Sequence, residues 1–293
     1  MATCPKKTWC WRRLLHWPKT GLTMNPTTEA TPELLAPANW QVVEFISDLH
    51  LQAQEPLTLR AWEQYMATTE ADAVFILGDL FEVWVGDDVL TLPAPTSGTA
   101  ENFEAHCCQT LRAAADKRDV FFIHGNRDFL LGKVFAQTCG LTLLADPTVL
   151  VFGGERWLLS HGDAMCLDDA DYLQFRAQVR TASWQHNFLA KPLSERQAIA
   201  LAMRQQSELR KRSGMNYVDV DNGAARQALQ AASASTLIHG HTHQPADHEL
   251  GDGLRRLVLS DWDAAAQPSR VQVMRLSTNP SHTGLVQMQR WVG

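Results

Sequence analysis

The chain has no apolar run near the roughly 20 residues that a bilayer-spanning helix needs, so no span is expected, and only peripheral contact with a membrane stays open. It also lacks an excess of positive charge. Its 26 Lys and Arg stand against 32 Asp and Glu, and the formal charge of −6 argues against a general nucleic-acid binder. There is no C-x-x-C pair. The six cysteines, at 4, 10, 107, 108, 139 and 166, include two direct neighbours, which suits free thiols in a reducing cytosol better than a disulfide framework. The first 28 residues carry Lys6, Lys7, Arg12, Arg13 and Lys19 and no acidic residue, and no hydrophobic periodicity appears before residue 40. Arg12, Arg13 and His16 interrupt the stretch from Trp9 to Trp17, which excludes the apolar segment of a signal peptide. Residues 1–39 are therefore expected to form a disordered extension outside the fold, with Met24 as an alternative start.

What is present is a chain of 293 residues, 45% hydrophobic, long enough for one domain with an insertion. From residue 41 short apolar strands each run into polar, chemically capable residues. Val42–Ser47 leads to Asp48, Ala73–Leu77 to Gly78-Asp79, and Val120–Ile123 to His124–Asp128. Trp157–Ser160 leads to His161-Gly162-Asp163, and Thr236–Ile238 to His239–His243. Helical stretches such as Leu57–Thr69 and Asn102–Lys117 fall between them, so a layered α/β fold is expected, with its site along one sheet edge. Leu257–Leu259, Arg270–Leu276 and Leu285–Trp291 follow one another with only loops between, which predicts a second, more antiparallel sheet.

A helical passage, residues 168–222, interrupts this pattern between core segments 40–167 and 223–293. Ser194 and Gln197 have the spacing of a capping box opening a helix from Glu195 to Arg212. Trp184, Phe188, Leu189, Ile199, Leu201 and Met203 supply apolar surface, while Arg196, Arg204, Arg210, Lys211 and Arg212 supply positive charge. Two readings stay open: a helical pair with a solvated basic face, or a lid for an amphipathic anion.

Asp48-Leu49-His50 can turn a carboxylate and an imidazole to one side just past a strand. Asp79 could bridge two metals. Asn126 offers an amide oxygen, and His161 follows a fourth strand. His239-Gly240-His241-Thr242-His243 places three histidines in five residues around a glycine that allows close backbone approach. Taken singly, most of these have ordinary explanations as turns, caps or packed side chains. The ordered set D-x-H, G-D, G-N-R-D, H-G-D, G-H-T-H, each at a strand end, does not.

This set resembles the calcineurin-like metallophosphoesterase superfamily over roughly residues 42–263. The resemblance implies a four-layer α/β/β/α sandwich with a helical lid insertion. It places one metal on Asp48, His50, Asp79 and His243 and the other on Asp79, Asn126, His161 and His241, with Asp79 as the bridge. Imidazole, carboxylate and amide ligands without thiolate favour two Mn²⁺, with Fe²⁺ or Zn²⁺ as alternatives. Cys166, near this set in sequence, reads as a small buried apolar residue.

Many members of the superfamily have a histidine after the G-N pair; here it is Arg127. Arginine stays protonated, so it makes a poor acid and a good charge clamp, unless it merely pairs with Asp128. A clamp favours a leaving group that needs no proton, such as a phosphate. Longer blocks, including Phe45–Leu51, Gly78–Asp88 and Phe122–Gly132, are similar to the UDP-2,3-diacylglucosamine pyrophosphohydrolase family of the lipid A pathway. That resemblance implies attack of metal-activated water on the α-phosphorus, giving UMP and 2,3-diacylglucosamine 1-phosphate. It assigns Asp79, Asn126, Arg127 and His241 to catalysis and places Asn126, Arg127, His241, Asp169, Tyr172, Ser207 and Lys211 against substrate. It also implies peripheral contact with the cytoplasmic face of a bacterial inner membrane; no nucleic acid and no obligate protein partner are expected. The chain departs from the family at Gly214, where a further lysine is usual. Glu82, Asp87 and Asp88 are left open between a structural role at a helix start, which is favoured, and a catalytic one. A phosphodiesterase or phosphatase acting on soluble nucleotides or phosphoproteins would use the same metals, whereas a scaffold that keeps the fold without chemistry should have lost ligands.

Overall fold

The computed structural model describes residues 30–91, 102–212, 218–278 and 286–292; the side chains of 206–212 and 291–292 lie outside that description. Two six-stranded sheets face each other. In the first, β2 (Val42–Ile46), β3 (Ala73–Leu77), β4 (Asp119–Ile123) and β5 (Thr142–Leu144) run parallel. β11 (Gln272–Thr278) joins β2 antiparallel and β12 (Val286–Val292) closes that edge. In the second, the order is β1 (Glu33–Leu35), β6 (Thr148–Phe152), β7 (Glu155–Ser160), β8 (Thr236–His239), β10 (Leu254–Val258) and β9 (Ala246–Gly251).

The alternation of side chains along each strand sorts the core into three apolar layers. Val43, Phe45, Phe75, Phe121, Leu159, Ile238 and Leu257 fill the space between the sheets. Ile46, Val74, Ile76 and Phe122 face outward and meet α1 (Pro56–Thr68), α2 (Phe103–Ala115) and α3 (Lys133–Cys139). On the far side, Leu158 and Leu237 meet Ala225 and Leu229 of α7 (Asn222–Ala231). The result is the expected α/β/β/α sandwich. Phe75 stacks between Phe45 and Phe121, with ring centroids 5.2 and 4.8 Å away. Phe75→Ala is expected to cost about 3–5 kcal/mol of stability, read from the midpoint of urea unfolding.

Four expectations are corrected. Residues 33–35 do belong to the fold: they pair in parallel with β6, and Trp40 behind them is buried in the inter-sheet layer. The C-terminal strands do not form a sheet of their own, because β10 pairs with β8 in one sheet and β11 with β2 in the other. Cys108 and Cys139 are joined as a disulfide across the packed α2 and α3, with Cα atoms 5.1 Å apart; their 31-residue separation hid this from the sequence. Finally, the long helix of the insertion opens earlier than predicted. The insertion is built of α4 (Ala170–Val179), α5 (Ala182–Leu189) and α6 (Leu193–Arg212), and the amides of Glu195 and Arg196 already bond to Pro192 O. Ser194 is thus inside the helix and forms no capping box.

Among the described residues, Arg176, Arg180 and Arg196 of this insertion dock it rather than facing solvent. Arg176 Nε donates to Asp163 at 2.9 Å, and Arg180 reaches Gly125 O at 2.8 Å. Arg196 is buried and makes a two-pronged contact with Asp88. A buried guanidinium pinned in this way fixes α6 over the loop after β3.

Candidate metal centre and cavity

Five strands from the two sheets deliver the candidate residues at their C-terminal ends: β2 gives Asp48 and His50, β3 Asp79, β4 Asn126 and Arg127, β7 His161, and β8 His241 and His243. The chain bends sharply there. Asp48, His50, Asp79, His241 and His243 have φ between 48° and 68°; only Ser233 and Asp252 share positive φ among the other described non-glycine residues. Such backbone strain concentrates where surrounding structure over-determines a functional site. Gly125 permits the tight approach of two of these turns, since a Cβ there would overlap the Asp79 carboxylate and amide. Gly125→Ala is expected to displace Asp79 and to lower divalent-metal affinity roughly tenfold or more, measured by calorimetry on metal-stripped protein.

All seven predicted ligands converge. His50 and His243 face each other, Nε2 to Nε2, at 3.2 Å. Asp48 Oδ1 lies 3.4 Å from His243 Nε2 and 4.0 Å from His50 Nε2. Asp79 turns Oδ2 toward His50 Nε2, at 4.0 Å, and Oδ1 toward His161 Nε2, at 3.8 Å. Asn126 Oδ1 is 3.0 Å from His161 Nε2 and 2.9 Å from His241 Nδ1. Ligand atoms of Asp48, His50 and His243, and of Asp48, Asp79 and His161, lie within 4.8 Å of one another, so Asp48 leans toward both halves where the resemblance assigned it to one.

The donor atoms fit divalent cations. Asp48 Oδ1 is buried without a well-aligned hydrogen bond and lies 3.4 Å from His243 Nε2 and 4.0 Å from His50 Nε2, so a cation shared with these rings would stabilise its charge. His161 Nδ1 donates to Leu77 O at 2.9 Å, which turns Nε2 toward Asn126 Oδ1, 3.0 Å away, and toward Asp79 Oδ1, 3.8 Å away. A cation among these groups would take the place of the Nε2 proton and neutralise the buried carboxylates. The local field agrees: burial alone would lower His161, yet the charges of Asp79, Asp48 and Asp163 push it up to about 9. Burial opposes ionisation of Asp48, but the hydrogen bond and charge of His243, with His161 and His50, hold its carboxyl well below the usual range. Burial and the neighbouring His161 push His241 down to about 4, leaving a neutral imidazole. His239, the remaining histidine of that turn, is buried with Nδ1 donating to Gly240 O and stands outside the cluster.

Arg127 does not pair with Asp128. The Asp128 carboxylate is buried and accepts from the amides of Leu80 (2.7 Å) and Gly125 (2.9 Å), tying two ligand-bearing loops together. Arg127 instead lies 3.4 Å from Glu82 and keeps its buried Nε without a partner. Of the two roles left open for Glu82, the helix start is not the one it takes: it sits against His50, Arg127 and Arg204. Its sequence signal was a charge inside the apolar run from Leu80 to Val85. Asp87 does serve a helix start, accepting from the amides of Gly132 and Phe135 at α3, whereas Asp88 holds Arg196.

Between this cluster and the insertion lies a cavity of about 520 Å³. His50, Asp79, Asn126, Arg127, His241 and His243 line one part of it, and Trp84, Phe129, Phe175, Trp184, Phe188 and Met203 another. Asp169 and Tyr172 also line it. The Asp169 side chain caps α4, while Tyr172 donates to Asp163 and lays its ring along His241, 6.1 Å between centroids. Cys166 is buried at the wall, its thiol pushed up to about 12, first by burial and then by Asp163. The side chains of Ser207 and Lys211, and Gly214, lie outside the described residues.

The family described as calcineurin-like phosphoesterase matches residues 43–245. A UDP-2,3-diacylglucosamine hydrolase from Chromobacterium violaceum is 46% identical over 75% of this chain and 90% of that one. Proteins of the same description from Aeromonas hydrophila subsp. hydrophila (44%; 74% of this chain, 89% of that one) and Pseudomonas savastanoi pv. phaseolicola (38%; 81% and 95%) match over a similar length.

Proposed function

We propose, from the premise that this chain belongs to the calcineurin-like phosphoesterases and among them to the UDP-2,3-diacylglucosamine hydrolases, that the cavity beneath the insertion is its active site. The chain is a metal-dependent hydrolase of lipid A biosynthesis that cleaves the pyrophosphate of UDP-2,3-diacylglucosamine. Water attacks the α-phosphorus, giving UMP and 2,3-diacylglucosamine 1-phosphate.

The observation that carries the placement is the composition of the cavity: acceptor-rich ligands at one end and aromatic and aliphatic walls at the other. That division suits a substrate with a doubly charged pyrophosphate and two acyl chains. We assign one cation to Asp48, His50, Asp79 and His243 and the other to Asp79, Asn126, His161 and His241, with Mn²⁺ preferred over Fe²⁺ or Zn²⁺ for this thiolate-free set. Such a pair supplies Lewis acidity to the phosphoryl oxygens and lowers the pKa of a nearby water.

The chain's own groups do the rest. Arg127 offers its unpaired Nε to a phosphoryl oxygen and donates no proton, which matches a phosphate leaving group. Asn126 and His241, whose polar atoms lie 2.9 Å apart, are assigned to the same phosphate. Asp169 and Tyr172 bound the sugar end, and Ser207 and Lys211 of α6 are assigned to substrate by the resemblance alone. Trp184 and Phe188, stacked 4.7 Å apart, exclude water beside the acyl chains. Residues 168–222 then act as a lid inserted between core segments 40–167 and 223–293, the first extended to include β1. Among the described residues no helix is long and apolar enough to cross a membrane. Exposed Leu189 and Leu201 on the insertion and Val83 at the cavity support peripheral contact with the cytoplasmic face of the inner membrane, from which the acylated substrate is drawn.

The test is UMP release from UDP-2,3-diacylglucosamine by metal-stripped protein, with and without restored Mn²⁺, beside bis(p-nitrophenyl) phosphate. Metal-dependent UMP release is the expected result. Cleavage of the soluble diester alone would keep the metal centre and overturn the lipid substrate.

A further inference from the structure

We infer that Glu82 is a positioning residue that couples docking of the helical insertion to the affinity of the metal centre. One of its carboxylate oxygens holds the His50 ring and the other holds Arg204 of α6. The inference rests on the reading of His50 as a metal ligand.

Glu82 is only 7% exposed, and a buried carboxylate needs charged or donating partners. Its Oε2 lies 3.0 Å from His50 Nδ1, while the opposite ring nitrogen, Nε2, is the one turned toward Asp48, Asp79 and His243. A carboxylate can only accept. The approach to Nδ1 is an electrostatic contact without the angle of a hydrogen bond, and the carboxylate charge there favours the tautomer protonated at Nδ1, which leaves the Nε2 lone pair directed at the centre. The second oxygen, Oε1, lies 3.0 Å from Arg204 Nε and 3.4 Å from Arg127 Nη1. Arg204 is carried by the insertion, and the same helix is pinned two turns earlier by Arg196 on Asp88. Glu82 is thus where a ligand of the core and a cation of the insertion meet on one carboxylate. When Arg204 is in place, Glu82 is held in the rotamer that orients His50; without it, the carboxylate is free to swing toward Arg127 alone and the ring loses its fixed partner.

Outer partners of ligating histidines typically change metal affinity by about 10–100-fold when removed. The experiment is a calorimetric Mn²⁺-binding isotherm on the metal-stripped full chain, without substrate, for Glu82→Gln, Arg204→Ala, the double variant and His50→Ala, with the far-ultraviolet spectrum checked for each. Glu82→Gln and His50→Ala should each weaken binding about tenfold or more, Arg204→Ala by about threefold, and the double variant should be no worse than Glu82→Gln alone. If His50→Ala weakens binding while Glu82→Gln stays within about twofold of the parent, the inference fails and the metal centre stands. If His50→Ala leaves affinity unchanged, the ligand reading fails and the inference with it. Independent, additive effects of Glu82→Gln and Arg204→Ala would overturn the coupling. Should Glu82→Gln not fold, an Arg204→Ala protein with unchanged affinity overturns it equally.

Discussion

Asp79→Ala is expected to lower metal-dependent UMP release by on the order of 10³-fold or more, the effect of losing several kcal/mol of transition-state stabilisation from a disrupted metal pair. Asp79 is the candidate ligand whose two oxygens reach in different directions, Oδ2 to His50 and Oδ1 to His161. Asp48 approaches both halves through Oδ1 alone, because Ser47 and the His241 amide hold its Oδ2. Alanine also removes the acceptor for the Arg127 amide, 2.8 Å from Asp79 Oδ1, and so would loosen the clamp as well as the metals. Asp79→Asn separates the two effects. It keeps the size and one acceptor oxygen but not the charge, so the Arg127 loop should hold while Mn²⁺ binding falls. Calorimetry together with steady-state UMP release would read both, and an Asp79→Asn enzyme within about tenfold of the parent would remove Asp79 from its bridging role.

The candidate ligands were legible in the sequence because each stands just after a strand, and strand ends could be recognised from short apolar runs such as Ala73–Leu77, which folds within those bounds. What joins them was not legible. The left-handed turns at Asp48, His50, Asp79, His241 and His243 depend on two sheets presenting their edges to one point, and no local pattern encodes that. The same limit explains the misplaced C-terminal strands: β10 and β11 look alike in sequence, and only pairing with β8 or β2 separates them. β1 was missed because three residues carry no period to detect. The basic residues of the insertion left two readings open, a solvated face or a lid for an anion, since helix position says which residues are charged but not what lies beneath. Arg196 and Arg204 turned out to be committed to Asp88 and Glu82 across more than a hundred residues of chain.

Arg127→Lys tests the chemistry that distinguishes this site. Arg127 Nε is buried without a partner while Nη1 approaches Glu82, so the guanidinium faces the cavity with one donor committed and others available. Lysine restores the charge but neither the planar fork nor a donor at the Nε position. Removing a preorganised donor to developing phosphoryl charge typically costs about 10²–10³-fold, so Arg127→Ala should lose that much in kcat/KM and Arg127→Lys should recover only part of it. The two roles open to this residue differ in pH dependence. A charge clamp is protonated throughout the working range, so its loss should scale the pH profile down without moving either limb. A proton donor to the leaving group would instead remove the alkaline limb in the alanine variant and bring it back, displaced toward neutral pH, with lysine. An unmoved profile supports the clamp, and it also supports a leaving group that departs as a phosphate without needing a proton from the protein.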